Sequence, residues 1–295
     1  MVITDREFTH RWLANVSYYR LSSYWHPNRQ RADDGRLLDT FIPGTDFADV
    51  ASLYEFDRHL KNLMLSAVER IEVSMRAHVA YAIGRHGPLA YLDSTPFNDR
   101  FLTSGQHLDW LSTVMKRANR AKNRDRFIGH HFDNYRGRIP IWVLTEVLDF
   151  ADVSKVYKGL RVDDRDEIAR TLGIVGTRGR AGARPGDILA NLLEHLAVVR
   201  NISAHHSRLW NRTMMPVGVT RLRDMDSFHG VSGAQCGSIY VSICAAAHIL
   251  QHVSPGTTWT DRVATMITDR FDPIPLRSSS EMGFPSNWRD LPLWS

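Results

Sequence analysis

One stretch constrains this chain more than any other. From Leu53 to about Ile83, apolar residues recur at Leu53, Phe56, Leu60, Leu63, Met64, Ala67, Ile71 and Met75, with His78 completing the row. The spacing is i, i+3, i+4 for some thirty residues, with no glycine or proline inside it. Such a run specifies a continuous helix of roughly 45 Å. Gly84 and Gly87-Pro88 mark its end. A helix this long, apolar along one stripe, needs other elements to cover it. The rest of the sequence supplies helices for that purpose.

Pro140 suits a first helical turn, and the apolar positions Trp142, Val143, Leu144, Val147, Leu148, Ala151 and Tyr157 extend that helix to Gly159. A short helix is expected over 163–172. Glycines 173, 176, 179, 182 and 186, with Arg178, Arg180 and Arg184 among them, read as a mobile basic connection. Asp187 then caps a helix carrying Leu189, Leu192, Leu193, Leu196 and Val199, which runs on towards Trp210. Further helices are expected near 237–252 and 259–270. A proline-rich tail (Pro273, Pro275, Pro285, Pro292) reads as irregular. No period-2 alternation and no internal repeat are found, so the fold class is all-α.

Composition narrows the setting. Hydrophobic residues make up 43% and charged residues 23% of 295, as in a globular protein rather than a disordered one. Two cysteines, Cys236 and Cys244, exclude a disulfide scaffold and are too few for a zinc site of their own. The first residues hold no apolar signal core, and the most apolar run, Ile239 to Leu250, is too short to span a bilayer. A reducing cytoplasm is the expected compartment. The net charge is +5, from 37 Lys and Arg against 32 Asp and Glu. Eight cations against two carboxylates fall within 116–138, so the excess is local. Lys116, Arg117, Arg120, Lys122 and Arg124 lie there beside Phe127, His130, His131, Phe132 and Tyr135. Cations interleaved with rings suit RNA phosphates and unstacked bases, and they equally suit a solvated helix face.

The segment Val198 to Trp210 carries the clearest chemistry. With Leu189 at 0° on a helical wheel, Leu196 falls at about 340°, Leu193 at about 40° and Arg200 at about 20°. Arg200 therefore sits within the apolar stripe, where an unpaired charge is costly. Either it pairs with a buried carboxylate such as Glu69, Glu72 or Glu146, or it faces an anion or a second subunit. Asn201 and His205 stand one turn apart, at about 120° and 160°, and His206 points elsewhere at about 260°. Arginine offers a forked donor for phosphate, and histidine exchanges protons near neutral pH.

Other motifs are weaker. His248 and His252 have i, i+4 spacing but no evident third ligand, so no metal site is expected. Gly176-x-x-Gly179-x-x-Gly182 follows no strand and lacks a Gly-Lys-Ser/Thr ending, so it does not read as a nucleotide loop. Tyr18, Tyr19, Tyr24 and Trp25 read as core or interface aromatics.

Arg200-Asn201-x-x-x-His205 resembles the Arg-polar-His signature of the HEPN superfamily. The wider sequence is similar to the abortive-infection (Abi) family of the AbiD and AbiF type. The resemblance runs through Tyr18 to Trp25, Leu53 to Arg58, Glu69-Arg70-Ile71-Glu72, Pro140-Ile141-Trp142, Arg200 to Arg212 and Gly283-Phe284-Pro285-x-x-Trp288. It implies a single Abi-type helical unit over 1–295. This divides into an N-terminal segment 1–50, a long-helix and basic region 51–172, the Gly/Arg connection 173–186, motif and C-terminal helices 187–270, and a tail 271–295.

The resemblance further implies a phage-defence protein with a HEPN-like bundle, cleaving RNA without metal or cofactor. Arg200, Asn201 and His205 would be the catalytic set, with His206, Glu69 and Glu72 in support and RNA held at Lys116, Arg117, Arg120, Lys122 and Arg124. HEPN ribonucleases pair two motifs. Only one is found in this chain, so a homodimer is expected. A non-catalytic protein that holds a small non-coding RNA is the rival reading, and an antitoxin-like module that binds only a protein partner is a third.

Overall fold

The computed structural model describes residues 1–177, 182–222 and 224–295. Twelve α-helices and one small antiparallel hairpin are found among them. The N-terminal part comprises α1 (Arg6–Val16), α2 (Tyr18–Trp25) and the hairpin of β1 (Arg29–Arg31) with β2 (Leu37–Phe41). The fold class is all-α, as the sequence predicts. The hairpin was not foreseen, because strands of three and five residues are too short to establish an alternation.

The long helix, α3, spans Phe47–Gly84. Its start is set by Asp46, whose carboxylate accepts the backbone N–H of Ala48 at 2.8 Å. The predicted stripe is buried: Phe56, Leu60, Met64, Ile71, Met75 and Val79 are all nearly inaccessible. After it come α4 (Asp99–Thr103), α5 (Gln106–Ala121), α6 (Arg126–Tyr135) and α7 (Ile141–Leu144).

The helix expected from Pro140 to Gly159 is broken. After α7 and a 3₁₀ turn, Leu148 is extended, and α8 begins afresh at Phe150–Gly159. A reciprocal cap between Asp149 and Asp152 stops the chain from continuing as one helix. The Leu148 carbonyl, freed from helical bonding, accepts from Arg76 of α3 at 2.7 Å.

Next come α9 (Val162–Thr171) and α10 (Pro185–Ala204). Residues 178–181 of the expected Gly/Arg connection lie outside the described residues. Its far end is fixed: Arg184 pairs with Asp166 at 2.8 Å, and the same carboxylate accepts the Gly186 N–H at 2.9 Å. The cap of α10 is Arg184 with Pro185 in the first turn. Asp187 is not the cap but lies inside that turn, paired with Arg165 at 2.8 Å.

α11 (Ile239–Val253) and α12 (Trp259–Met266) complete the set, the latter running into a π turn at Ile267–Phe271. The tail is irregular, as expected, but it is core: Phe271, Ile274, Phe284, Trp288 and Leu293 are buried. α3 is the spine, against which α2, α7, α8, α10, α11 and α12 pack, and α10 also lies along α8 and α9. No described helix is long and apolar enough to cross a membrane.

Candidate functional site

Helix α10 stops at Ala204, six residues short of Trp210. The stop is a Schellman turn: His206 N–H donates to the Ser203 carbonyl at 3.2 Å, and Ser207 N–H to that of Ile202 at 3.1 Å. Glycine is usual at the left-handed position of that turn, and here it is His206, with φ 57°. Three sequence blocks that stand far apart lock the chain beyond it. From α2, Arg20 donates to the His206 carbonyl at 2.7 Å. Arg208 reaches back to the Ser23 carbonyl. From α3, the wholly buried carboxylate of Asp57 accepts the N–H groups of Leu209 at 3.0 Å and Trp210 at 2.7 Å. The same carboxylate takes the Tyr24 hydroxyl at 2.7 Å and the Lys61 ammonium at 3.1 Å.

The candidate set sits on the last turn so anchored. Asn201 and His205 are exposed and Arg200 is half-buried. The His205 N–H closes on the Asn201 carbonyl at 3.0 Å, which keeps the two residues one turn apart. Arg200 makes one long contact, 3.4 Å, to the Asn201 side-chain oxygen. No carboxylate lies within 4.0 Å of its guanidinium among the described residues. Of the three carboxylates considered as partners, Glu72 is bound to Arg76 at 2.5 Å, Glu146 lies 4.0 Å from that same arginine, and Glu69 is exposed. Burial pushes the Glu72 carboxyl above the usual range, and Arg76 and then Arg200 pull it back. Glu72 thus faces Arg200 without pairing with it.

Two clefts hold candidate residues. One, of about 430 Å³, is lined by Arg117, Arg120, Arg124, Phe127 and Glu146. Within the basic segment, Arg117 differs from its neighbours. It is tied to Asp149 and Asp152 at 2.5 Å each and braces the broken helix. Lys116, Arg120, Lys122 and Arg124 are exposed, with the Lys122 ammonium 5.1 Å from the Phe132 ring centre. The other cleft, about 420 Å³, lies between α8 and α10 and has Asn201 and Asp152 among its lining residues. The Arg117–Asp152 pair therefore stands between the two.

The interlocked segments at 18–25, 53–58 and 200–212 are among those that carry the sequence resemblance, and all but the last residue of them fall within one matched span. A family model described as Abi-like protein matches residues 11–211. The chain belongs to the Abi-like protein family. This is a family of abortive infection, the defence of bacteria against phage. No curated protein and no solved structure matches the chain. The Abi-like span ends one residue after Trp210, so α11, α12 and the tail lie beyond it while still covering α3.

Among the described residues of this Abi-like chain, no group of three or more His, Cys, Asp or Glu is placed to hold a metal. The pair noted in the sequence serves packing: His248 is buried, with its ring nitrogens on the Ser227 hydroxyl at 3.0 Å and the Gly173 carbonyl at 3.1 Å. Tyr24 and Trp25 are core, while Tyr18 and Tyr19 are 68% and 88% exposed beside Arg20. The residue that reading by motif missed is Asp57. Its signal was of the same kind as that of Arg200: on a wheel with Leu53 at 0°, Asp57 falls at about 40°, inside the apolar stripe.

Proposed function

We propose that the protein is an endoribonuclease of phage defence, with Arg200, Asn201 and His205 as its catalytic set. The observation that carries this reading is the state of Arg200. Its charge is held near the surface, on a braced helix end, with the nearby carboxylates engaged by Arg76. An arginine kept free in that way has the charge and the forked geometry for a phosphodiester.

In the proposed reaction the RNA 2′-oxygen bonds to the adjacent phosphorus and the P–O5′ bond breaks. His205 takes the 2′-hydroxyl proton, and a second imidazole protonates the departing O5′. Arg200 offsets the charge that builds on the phosphate oxygens. Asn201 orients Arg200 or the ribose. The products are a 2′,3′-cyclic phosphate and a 5′-hydroxyl, and DNA is not cut. The second imidazole comes from His205 of another copy in a homodimer, or from His206 of the same chain. Glu72 positions Arg200 through charge. The cleft bearing Arg120 and Arg124 guides the strand, with Lys116 and Lys122 beside it.

Incubating purified protein with RNA and mapping the ends tests this. Arg200→Ala and His205→Ala each abolish cleavage while melting temperature and oligomeric state persist. Cleavage that survives both substitutions overturns the proposal.

The exposed cations around the basic cleft also favour a second reading, a protein that holds a small RNA without cutting it. In that case the Arg200 and His205 variants keep their function, and Arg120→Ala with Arg124→Ala loses it.

A further inference from the structure

The cleft between α8 and α10 has no role in the phosphoryl chemistry, yet Asn201 forms part of its rim. Its walls are small or apolar: Ala151, Ala197, Val198, Met215 and Pro216. Met215 is 72% exposed there, a large apolar side chain left at the mouth of a cavity. Apolar walls of this kind suit the face of a ring, and about 420 Å³ holds a base with its sugar.

The polar groups are more informative. Ser154 lines the cleft, and its residue is only 2% exposed. Its hydroxyl has no hydrogen-bond partner. Helix serines commonly return the hydroxyl to a carbonyl one turn back, as Ser203 does to Val199 at 2.8 Å. Leaving a buried hydroxyl unsatisfied costs free energy unless something arrives to use it. Asn191 also lines the cleft. Its carbonyl oxygen is taken by the Gly218 N–H at 3.0 Å, which leaves its amide hydrogens as donors. His195 is spent: its ring bonds the Met215 carbonyl at 3.0 Å and the Ser242 hydroxyl at 2.7 Å.

Charge completes the picture. Both lining carboxylates are neutralised from outside, Asp152 by Arg117 at 2.5 Å and Glu194 by Lys158 at 2.6 Å. Lys155, exposed on the lining, has no carboxylate within 4.0 Å among the described residues. The cleft thus combines apolar walls, an unused hydroxyl, amide donors and free positive charge at Lys155 and at Arg200 beyond Asn201.

We infer that the α8–α10 cleft is a nucleobase site. The ring lies between Ala151 and Ala197, its polar edge meets Ser154 and Asn191, and its phosphate lies towards Lys155 and Arg200. Resting on the ribonuclease reading, the base is that of an RNA nucleotide beside the cleaved bond. The same chemistry suits a free mononucleotide.

Calorimetric titration of the full chain tests both sources. One probe is a tetraribonucleotide 2′-O-methylated throughout, which cannot be cleaved, and the other is adenosine 5′-monophosphate. Ser154→Ala weakens binding about fivefold, the value of one hydrogen bond, while the melting temperature is unchanged or higher. A serine with a structural role lowers it instead. Ala151→Trp, at an exposed position on the wall, abolishes binding. Affinity unchanged in both variants, or no binding of either probe to the wild-type chain, overturns the inference. Adenosine monophosphate binding as tightly as the tetranucleotide, with the same dependence on Ser154, supports the site and makes a free nucleotide its source. Cleavage assays in parallel keep the two proposals separable. RNA cut by the wild type but not by Arg200→Ala, with affinity indifferent to Ser154 and Ala151, removes the cleft alone. Binding that depends on Ser154 without any cleavage removes the ribonuclease alone.

Discussion

Asp57 shows how much one buried side chain can organise. Its carboxylate satisfies two backbone N–H groups, a tyrosine hydroxyl and a lysine, all out of contact with water. Removing it strands the Lys61 charge and three donors in the core. Asp57→Ala is therefore expected to cost about 3–5 kcal/mol in urea unfolding, since breaking a buried ion pair leaves the partner uncompensated. A loss under 1 kcal/mol would show that the chain beyond α10 is held some other way. His206 offers the opposite case. It occupies a left-handed position that favours glycine. His206→Gly is expected to raise stability by about 0.5–1 kcal/mol, measured by the same unfolding. If His206 also moves a proton in catalysis, cleavage falls in that more stable variant.

Among elements, α10 and the interrupted α7–α8 pair decide where chemistry can occur. A helix running on to Trp210 would carry Asn201 and His205 on a smooth flank. The Schellman turn instead ends α10 at Ala204, so His205 stands at an exposed helix end while the strap to α2 and α3 fixes the direction of the chain. The break at Leu148 turns α8 so that Asp149 and Asp152 meet Arg117. Arg117→Ala is expected to destabilise the fold by more than Arg120→Ala, because two carboxylates lose their shared partner. Thermal melts of the two variants compare them directly. RNA affinity, in contrast, should fall with Arg120→Ala and Arg124→Ala and flatten in its dependence on salt.

For the whole molecule, two buried histidines link stability to pH. Burial holds the His248 ring down to about 4 and lowers His195 as well, which favours the neutral form of both in the fold. In the unfolded chain they protonate below about pH 6.5. Both contribute stability that is complete above that pH and is lost as pH falls, for His248 between about 6.5 and about 4. For His248 the loss reaches about 3 kcal/mol at the lower end. Urea unfolding at pH 7 and pH 5 measures the slope, and His248→Gln should reduce it. Quaternary structure belongs to this scale too. If a second His205 completes the site, light scattering finds a dimer, and mixed dimers of wild-type with His205→Ala protein are inactive, because each of them lacks one of the two imidazoles.

Periodicity alone determined the all-α class, the long central helix and the presence of an arginine in an apolar stripe, because a 3.6-residue repeat is local and survives without any neighbour. The order of the helices from α7 onward was legible for the same reason, with α7 and α8 read as one, whereas α1, α2 and α4 were not. Three features were settled by tertiary structure. The helix stop at Ala204 depends on Arg20, Ser23 and Asp57, which lie about 150 or more residues earlier. The break at Leu148, begun by the local Asp149–Asp152 cap, is held by Arg76 taking the freed carbonyl. The choice between a paired and a free Arg200 turned on Arg76 reaching Glu72 and Glu146 first. Local sequence sets which backbone conformations are cheap. Competition among distant groups for a few buried charges and carbonyls sets which of them is used.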